Sequence, residues 1–222
     1  MAPLRSLVAA GLLFLSAANA HFLLLSPPSI EGSSIDEDKE GNAPCGADLP
    51  DLSANSTTDF HVGGDQVALQ LGHPQANWLI RGTLDAKASS NWTQLFPIVT
   101  QSGLGNFCEL SVAAPKEWVG QKGIIGVACN GPDGILYQCA VVNFVSGTSS
   151  SQASSCTNGS SVTASFSSDS KLSALVGNPS NTSSSAPSST SRNASPSPVR
   201  SQFPLGSLLL GAVMVLVGAT LL

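Results

Sequence analysis

Basic residues are scarce in this chain of 222. Nine Lys and Arg stand against fourteen Asp and Glu, and the formal net charge is −5. A surface so short of positive charge offers nothing to a polyanion, so nucleic acid is excluded as a partner. No two cysteines have the C-x-x-C spacing, which removes the usual nucleus of a structural zinc cluster. No long stretch keeps a helical apolar period, which argues against a helix bundle. No charged residue follows the last apolar run, so nothing there would hold the cytoplasmic end of a transmembrane span. Histidine occurs only three times, at 21, 61 and 73.

What is present begins with two legible ends. Residues 1–20 carry Arg5, an apolar run over 7–15 and a terminal Ala-Asn-Ala, the layout of a secretory signal peptide. The run is too short to cross a bilayer of roughly 30 Å. The mature chain is therefore expected to start at His21 with a free α-amine. Residues 146–202 are dominated by Ser, Thr, Asn, Ala and Pro, as in "NPSNTSSSAPSSTSRNASPSPVRSQ". Such a composition buries too little apolar surface to offset the entropy of ordering it, and it predicts a disordered, O-glycosylated stalk. The apolar tail 203–222 behind a polar spacer has the pattern of a GPI-attachment signal, removed on processing. Asn193 in Asn193-Ala194-Ser195 is the best-spaced attachment point, with Ser185 and Gly177 as alternatives. A C-terminal transmembrane anchor is the competing reading of that tail.

The part between, 21–145, is large enough for one core. Over residues 21–150 thirteen acidic side chains face five basic ones, a balance that suits a cation as partner. "DQVALQLG" and, more loosely, "NWLIRGTLD" alternate apolar and polar residues, while "KGIIGVAC" and "LYQCAVVNF" read as buried strands. Asn130-Gly131-Pro132-Asp133-Gly134 predicts a hairpin turn between the last two. The expected fold is all-β, a small antiparallel sandwich. Trp78 follows the strand pattern and is expected in the core; Trp92, inside a sequon, is expected at the surface.

Cys45, Cys108, Cys129, Cys139 and Cys156 are the disulfide candidates in an oxidising compartment, and their odd number leaves at least one without an intramolecular partner. A bond from Cys156 would strap the start of the stalk to the sandwich. Acceptor sequons for N-glycosylation stand at Asn55, Asn91, Asn158, Asn181 and Asn193, of which Asn193 cannot be both glycan acceptor and lipid attachment point.

His21 is the residue with the most distinctive chemistry. At a chain terminus, the α-amine and the imidazole Nδ1 of one histidine can close a chelate ring on a metal. A second imidazole then completes a T of three nitrogens. Nitrogen-rich, planar coordination of this kind suits Cu(II), which heads the affinity order of the divalent first-row metals. The alternative for His21 is a solvated terminus without metal.

Ordered motifs surround it: "HFLLLSPPSIEGSSIDEDKEGNAPCG", then "TDF", "VALQLGHPQANW", "GPDGILYQCA" and "SSCTNGS". Over about 21–160 the chain resembles a family of fungal GPI-anchored proteins related to lytic polysaccharide monooxygenases, which includes copper-acquisition factors of the Bim type. The resemblance implies an immunoglobulin-like β-sandwich holding one copper in a histidine brace. It matches His21 to the N-terminal ligand, His73 in "LGHPQAN" to the second histidine, and Asp133 in "PDGILYQC" to the third, carboxylate ligand. One departure stands out: where the family reads "YQCAD", this chain has Val141. His61 is the rival for second ligand and is otherwise a surface histidine. Asp59 and Asp65 are expected to be solvated loop charges, as is the run Asp36-Glu37-Asp38, with a loose cation-attracting patch as its alternative.

Two functions from different classes compete. A copper-binding module tethered to the outer face of the plasma membrane, or passed to the wall, would capture scarce copper for a membrane transporter, with cell-wall glycans as neighbours. A copper oxidase would instead attack polysaccharide. A hard carboxylate ligand favours Cu(II) over the Cu(I) state that oxygen activation needs, and a lipid tether ill suits an enzyme that must roam a polymer. Both point to binding rather than catalysis. A wall-structural protein without metal is the third possibility.

Overall fold

A computed structural model describes residues 21–53 and 57–177. The expected signal peptide 1–20, Asn55, Asn181, Asn193 and the tail 203–222 fall outside these residues.

Among the described residues, ten strands form two sheets. The smaller sheet holds β1 (Phe22–Ser26), β3 (Asp65–Leu71) and β7 (Gly105–Val112), in the order β1-β3-β7. The larger contains β2 (Thr58–His61), β4 (Gln75–Thr83), β5 (Thr93–Gln94), β6 (Val99–Ser102), β8 (Lys122–Gly131), β9 (Gly134–Val145) and β10 (Thr163–Phe166). Its order is β10-β6-β4-β8-β9-β2, with β5 paired to β4. The expected all-β sandwich forms, with one departure from purely antiparallel pairing: β2 runs parallel to β9.

Alternation explains the small sheet. Phe22 and Leu24 of β1 point inward with Val67, Leu69 and Leu71 of β3, and meet Trp78, Ile80, Val127 and Val142 of the other sheet. Phe22 and Trp78 touch edge to face at 5.2 Å and join the two layers. Trp78 is thus a core residue, as its pattern predicts. The nearly continuous apolar run of β8 has a different cause: both its faces are covered. Ile124 and Ala128 pack outward, away from the inter-sheet core. Ile124 meets Cys139, Ala88 and Trp92, and Ala128 meets Leu79, Tyr137 and Leu172.

That outer cover corrects two expectations. Trp92 is buried rather than exposed, because its ring lies 4.0 Å from the Arg81 guanidinium and its Nε1 donates to Ala88 O. Its sequon neighbours Asn91 and Thr93 face solvent. A Cβ on Gly126 would come within 2.7 Å of the Trp92 ring, so glycine is required beneath it. Part of 146–177 is also ordered, where composition predicts a disordered stalk. Within 146–177, β10 pairs with β6, and a short helix α1 (Ser170–Ser173) buries Leu172. Sparse anchors hold this Ser-rich stretch, and polar composition alone hides them.

Two disulfides form, Cys45–Cys139 and Cys108–Cys156, the second strapping the segment after β9 to β7. Cys129 is not part of either. It lies in the inter-sheet core as a buried free thiol, its pKa pushed up by burial, which makes it inert.

Candidate metal centre

Register brings the two candidate histidines together. Antiparallel pairing sets Phe22 opposite Leu71, and Gly72 N–H donates to His21 O at 2.9 Å. His21 therefore lies beside the Gly72-His73-Pro74 turn that links β3 to β4. The β8–β9 hairpin closes over the same end through its two-residue turn, Pro132-Asp133, as the sequence predicts. His73 packs flat on Gly131, where a Cβ would come within 3.2 Å of the ring. Any larger residue at 131 would push the imidazole away.

The nitrogens are what distinguish the site. His21 Nδ1 and His73 Nε2 are buried, and neither has a hydrogen-bond partner. Buried polar atoms are almost always satisfied, so two orphans on histidines at one end of the fold need a reason; Glu40 Oε2 and Arg81 Nε are the other such atoms among the described residues. Each has a carboxylate oxygen nearby: Glu37 Oε2 at 3.4 Å from His21 Nδ1, and Asp133 Oδ2 at 3.4 Å from His73 Nε2. That distance is long for a hydrogen bond. It fits two donors on one metal, since ligands about 2.0–2.1 Å from an ion stand about 2.9–3.4 Å from each other. The orphaned atoms are also the ones a histidine brace uses, since only Nδ1 of a terminal histidine can close a ring with its own amine. Among the described residues no group of three or more His, Cys, Asp or Glu side chains gathers to hold a metal. The α-amine of a chain starting at His21 would supply the third nitrogen.

A hydrogen-bonded frame fixes His21. The buried Gln138 amide donates to Phe22 O and to Glu40 Oε1, and Leu24 N–H donates to Gln138 Oε1. Glu40 O accepts from Tyr137 N–H at 2.8 Å. This one cluster ties β1, β9 and a single-turn 3-10 helix (Glu37–Lys39) together. Burial pushes the Glu40 carboxyl up to about 7.

The other sequence candidates separate cleanly. His61 pairs with Val145 at the far end of β9, on the order of 35 Å along the strand from the hairpin turn at ~3.3 Å per residue. Its Nδ1 is bonded to Asp65 at 2.7 Å, which makes Asp65 a buried partner rather than a solvated loop charge. Asp59, in β2, accepts from Asn143. Val141 is buried opposite Ile124, seven residues along β9 from Gly134, or roughly 23 Å at the same rise. Asn158 is exposed, and its Oδ1 accepts from Cys108 N–H. Glu37 is exposed, as expected of a solvated run, and its carboxylate also stands 3.4 Å from His21 Nδ1. Its reach was not visible in the sequence, because a through-space contact across a loop leaves no periodic trace.

An uncharacterized protein of Aspergillus fumigatus is 32% identical to this chain over 161 residues, which cover 69% of the chain and 65% of that protein. The chain thus spans a little under two thirds of that relative's length. Residues 19–161 match the family model described as copper acquisition factor BIM1-like, a span that contains both histidines, Asp133 and both cystines. On that match, the chain belongs to the BIM1-like copper acquisition factor family.

Proposed function

We propose that the mature protein starts at His21 and binds one Cu(II) through its α-amine, His21 Nδ1 and His73 Nε2, with Asp133 as carboxylate ligand. The observation that carries this reading is the pair of buried, unpartnered imidazole nitrogens at one end of the sandwich. The family match supports copper as the cargo. Placement follows from composition: a signal peptide, a Ser/Thr-rich stalk beyond residue 177 and a GPI signal would tether the domain to the outer face of the plasma membrane. There it would capture copper and hand it to a membrane transporter.

The chemistry of the donor set favours capture over oxidation. Three nitrogens and a hard carboxylate oxygen stabilise Cu(II). A site built to hold that state is suited to scavenging rather than to cycling through Cu(I) with oxygen. Copper titration of secreted protein, with the N-terminus sequenced in the same sample, tests the reading. One equivalent of Cu(II) should bind tightly to protein beginning at His21. One additional residue before His21 should weaken binding more than about 100-fold, beyond the 10–100-fold cost of losing an outer-shell partner. Equal affinity with and without the extra residue would exclude the brace. Incubation with reductant, peroxide and cell-wall glucans should release no oxidised oligosaccharides; their appearance would favour an oxidase.

A further inference from the structure

We propose that Asp169 is a positioning residue of the copper site, setting the His73 imidazole through Asn130 and Gly131. This rests on the copper-binding reading above and adds no ligand to it. Residue 169 lies beyond 19–161, the span that matches the family, so the link belongs to the C-terminal segment of this chain.

A continuous path of contacts carries it. Asn77 and Asn130 are cross-strand partners at the last rung of the β4–β8 ladder. Both amides donate to one oxygen of Asp169, Asn77 Nδ2 at 2.9 Å and Asn130 Nδ2 at 2.7 Å. Asn130 leads directly into Gly131, which lies so close to the His73 ring that a Cβ would meet it at 3.2 Å. Next come Pro132 and Asp133, whose carboxylate stands 3.4 Å from His73 Nε2. A shift of Asn130 therefore moves the surface under the imidazole and the turn beside it together.

The link is built rather than incidental. Asp169 is buried, and no cationic side chain pairs with it among the described residues. A buried carboxylate is tolerated only when hydrogen bonds satisfy it. Its second oxygen accepts from Lys171 N–H at 2.9 Å and Leu172 N–H at 3.2 Å, capping the turn of α1. Leu172 anchors that turn among Leu79, Ala128 and Tyr137. Thr100 Oγ1 donates to Asn77 Oδ1 at 2.6 Å, which turns the Asn77 amide toward Asp169. Packing does not do the same job on this side. A cavity of about 460 Å³ runs along the face, lined by Pro74, Asn77, Thr100, Asn130, Gly131 and Pro132. Beside such a space, hydrogen bonds fix where the hairpin stands.

The test uses mature protein as wild type, Asp169→Asn, Asn130→Ala and Leu172→Ala. Asparagine keeps one oxygen for the cap and has none left for the two amides. Leu172→Ala loosens the same segment and leaves the carboxylate in place. Nuclear magnetic resonance of metal-free protein reads the imidazoles of His73 and His61, while chelator competition and electron paramagnetic resonance read Cu(II). In Asp169→Asn and Asn130→Ala the His73 resonances should shift, and those of His61, at the far end of β9, should not. Both variants should bind Cu(II) about 10-fold more weakly, at the lower end of the range for outer-shell partners. Nitrogen coupling should persist with altered g and hyperfine values. The double variant should be no weaker than either single one, because both cut one path. Leu172→Ala should leave His73 and the Cu(II) affinity as in wild type. Unmoved His73 resonances or full Cu(II) affinity in Asp169→Asn, or the same changes in Leu172→Ala, would overturn the assignment. Wild-type copper without nitrogen coupling would remove the copper reading alone, since the metal-free resonances test the positioning by themselves.

Discussion

Leaving a buried polar atom unsatisfied costs about 1–3 kcal/mol, and two of the four such side-chain atoms among the described residues, His21 Nδ1 and His73 Nε2, belong to the same end of this sandwich. A fold selected for stability alone would fill those positions with apolar side chains. His73→Leu tests this at the level of a single residue. Copper affinity should fall more than about 100-fold, beyond the outer-shell range, while the metal-free melting temperature stays level or rises. A large drop in metal-free stability would show that His73 is present for packing. His21 was singled out in the sequence by its place after an expected cleavage site, and His73 by the family resemblance of its motif; the structure brings the backbone of the two together at one end of the sandwich. The Glu37–His21 contact and the Trp92–Arg81 stack were not legible there. Both are contacts between loops and strands remote in sequence, and the sequon at Asn91 describes the exposure of Asn91 and not of its neighbour.

At the scale of elements, β1 and the 3-10 turn are held by one polar cluster with a titratable group in it. Desolvation raises the Glu40 carboxyl to about 7, against a Gln138 hydrogen bond and the Phe22 amide that favour its ionised form; the Glu31 and Glu37 charges add to the rise. A carboxyl with a raised folded-state pKa keeps its proton when the unfolded chain has already released it. Its contribution to stability is therefore largest below pH ~4.5 and declines as pH rises to about 7. Glu40→Gln should flatten that decline in a series of thermal melts between these limits, and a pH profile identical to wild type would show that Glu40 does not set it. Strands and the β8–β9 hairpin were readable from alternation and turn chemistry. The parallel β2–β9 pair was not, since side-chain alternation is the same in either strand direction.

Taken as a whole, the domain is closed by covalent and C-terminal straps. Cys45–Cys139 and Cys108–Cys156 span separations of 94 and 48 residues. Breaking either by a paired Cys→Ser change should cost about 2–5 kcal/mol, seen as a lower denaturation midpoint, whereas Cys129→Ala should leave both bonds in place. A chain ended at 145 loses Cys156, β10 and the buried Leu172, and should melt well below one ended at 177. Equal melting of the two would contradict a structural role for 146–177. Composition alone hides the order in 146–177, because Cys156, the β10 pairing and the buried Leu172 anchor a Ser-rich stretch without changing its average. The central claim for the whole molecule is that copper is gripped by the terminus itself. Electron paramagnetic resonance of the Cu(II)-loaded secreted protein tests it most directly. Hyperfine coupling to three nitrogens, lost when one residue is added before His21, is the expected result; a spectrum with oxygen donors alone, or one indifferent to that extension, would contradict it.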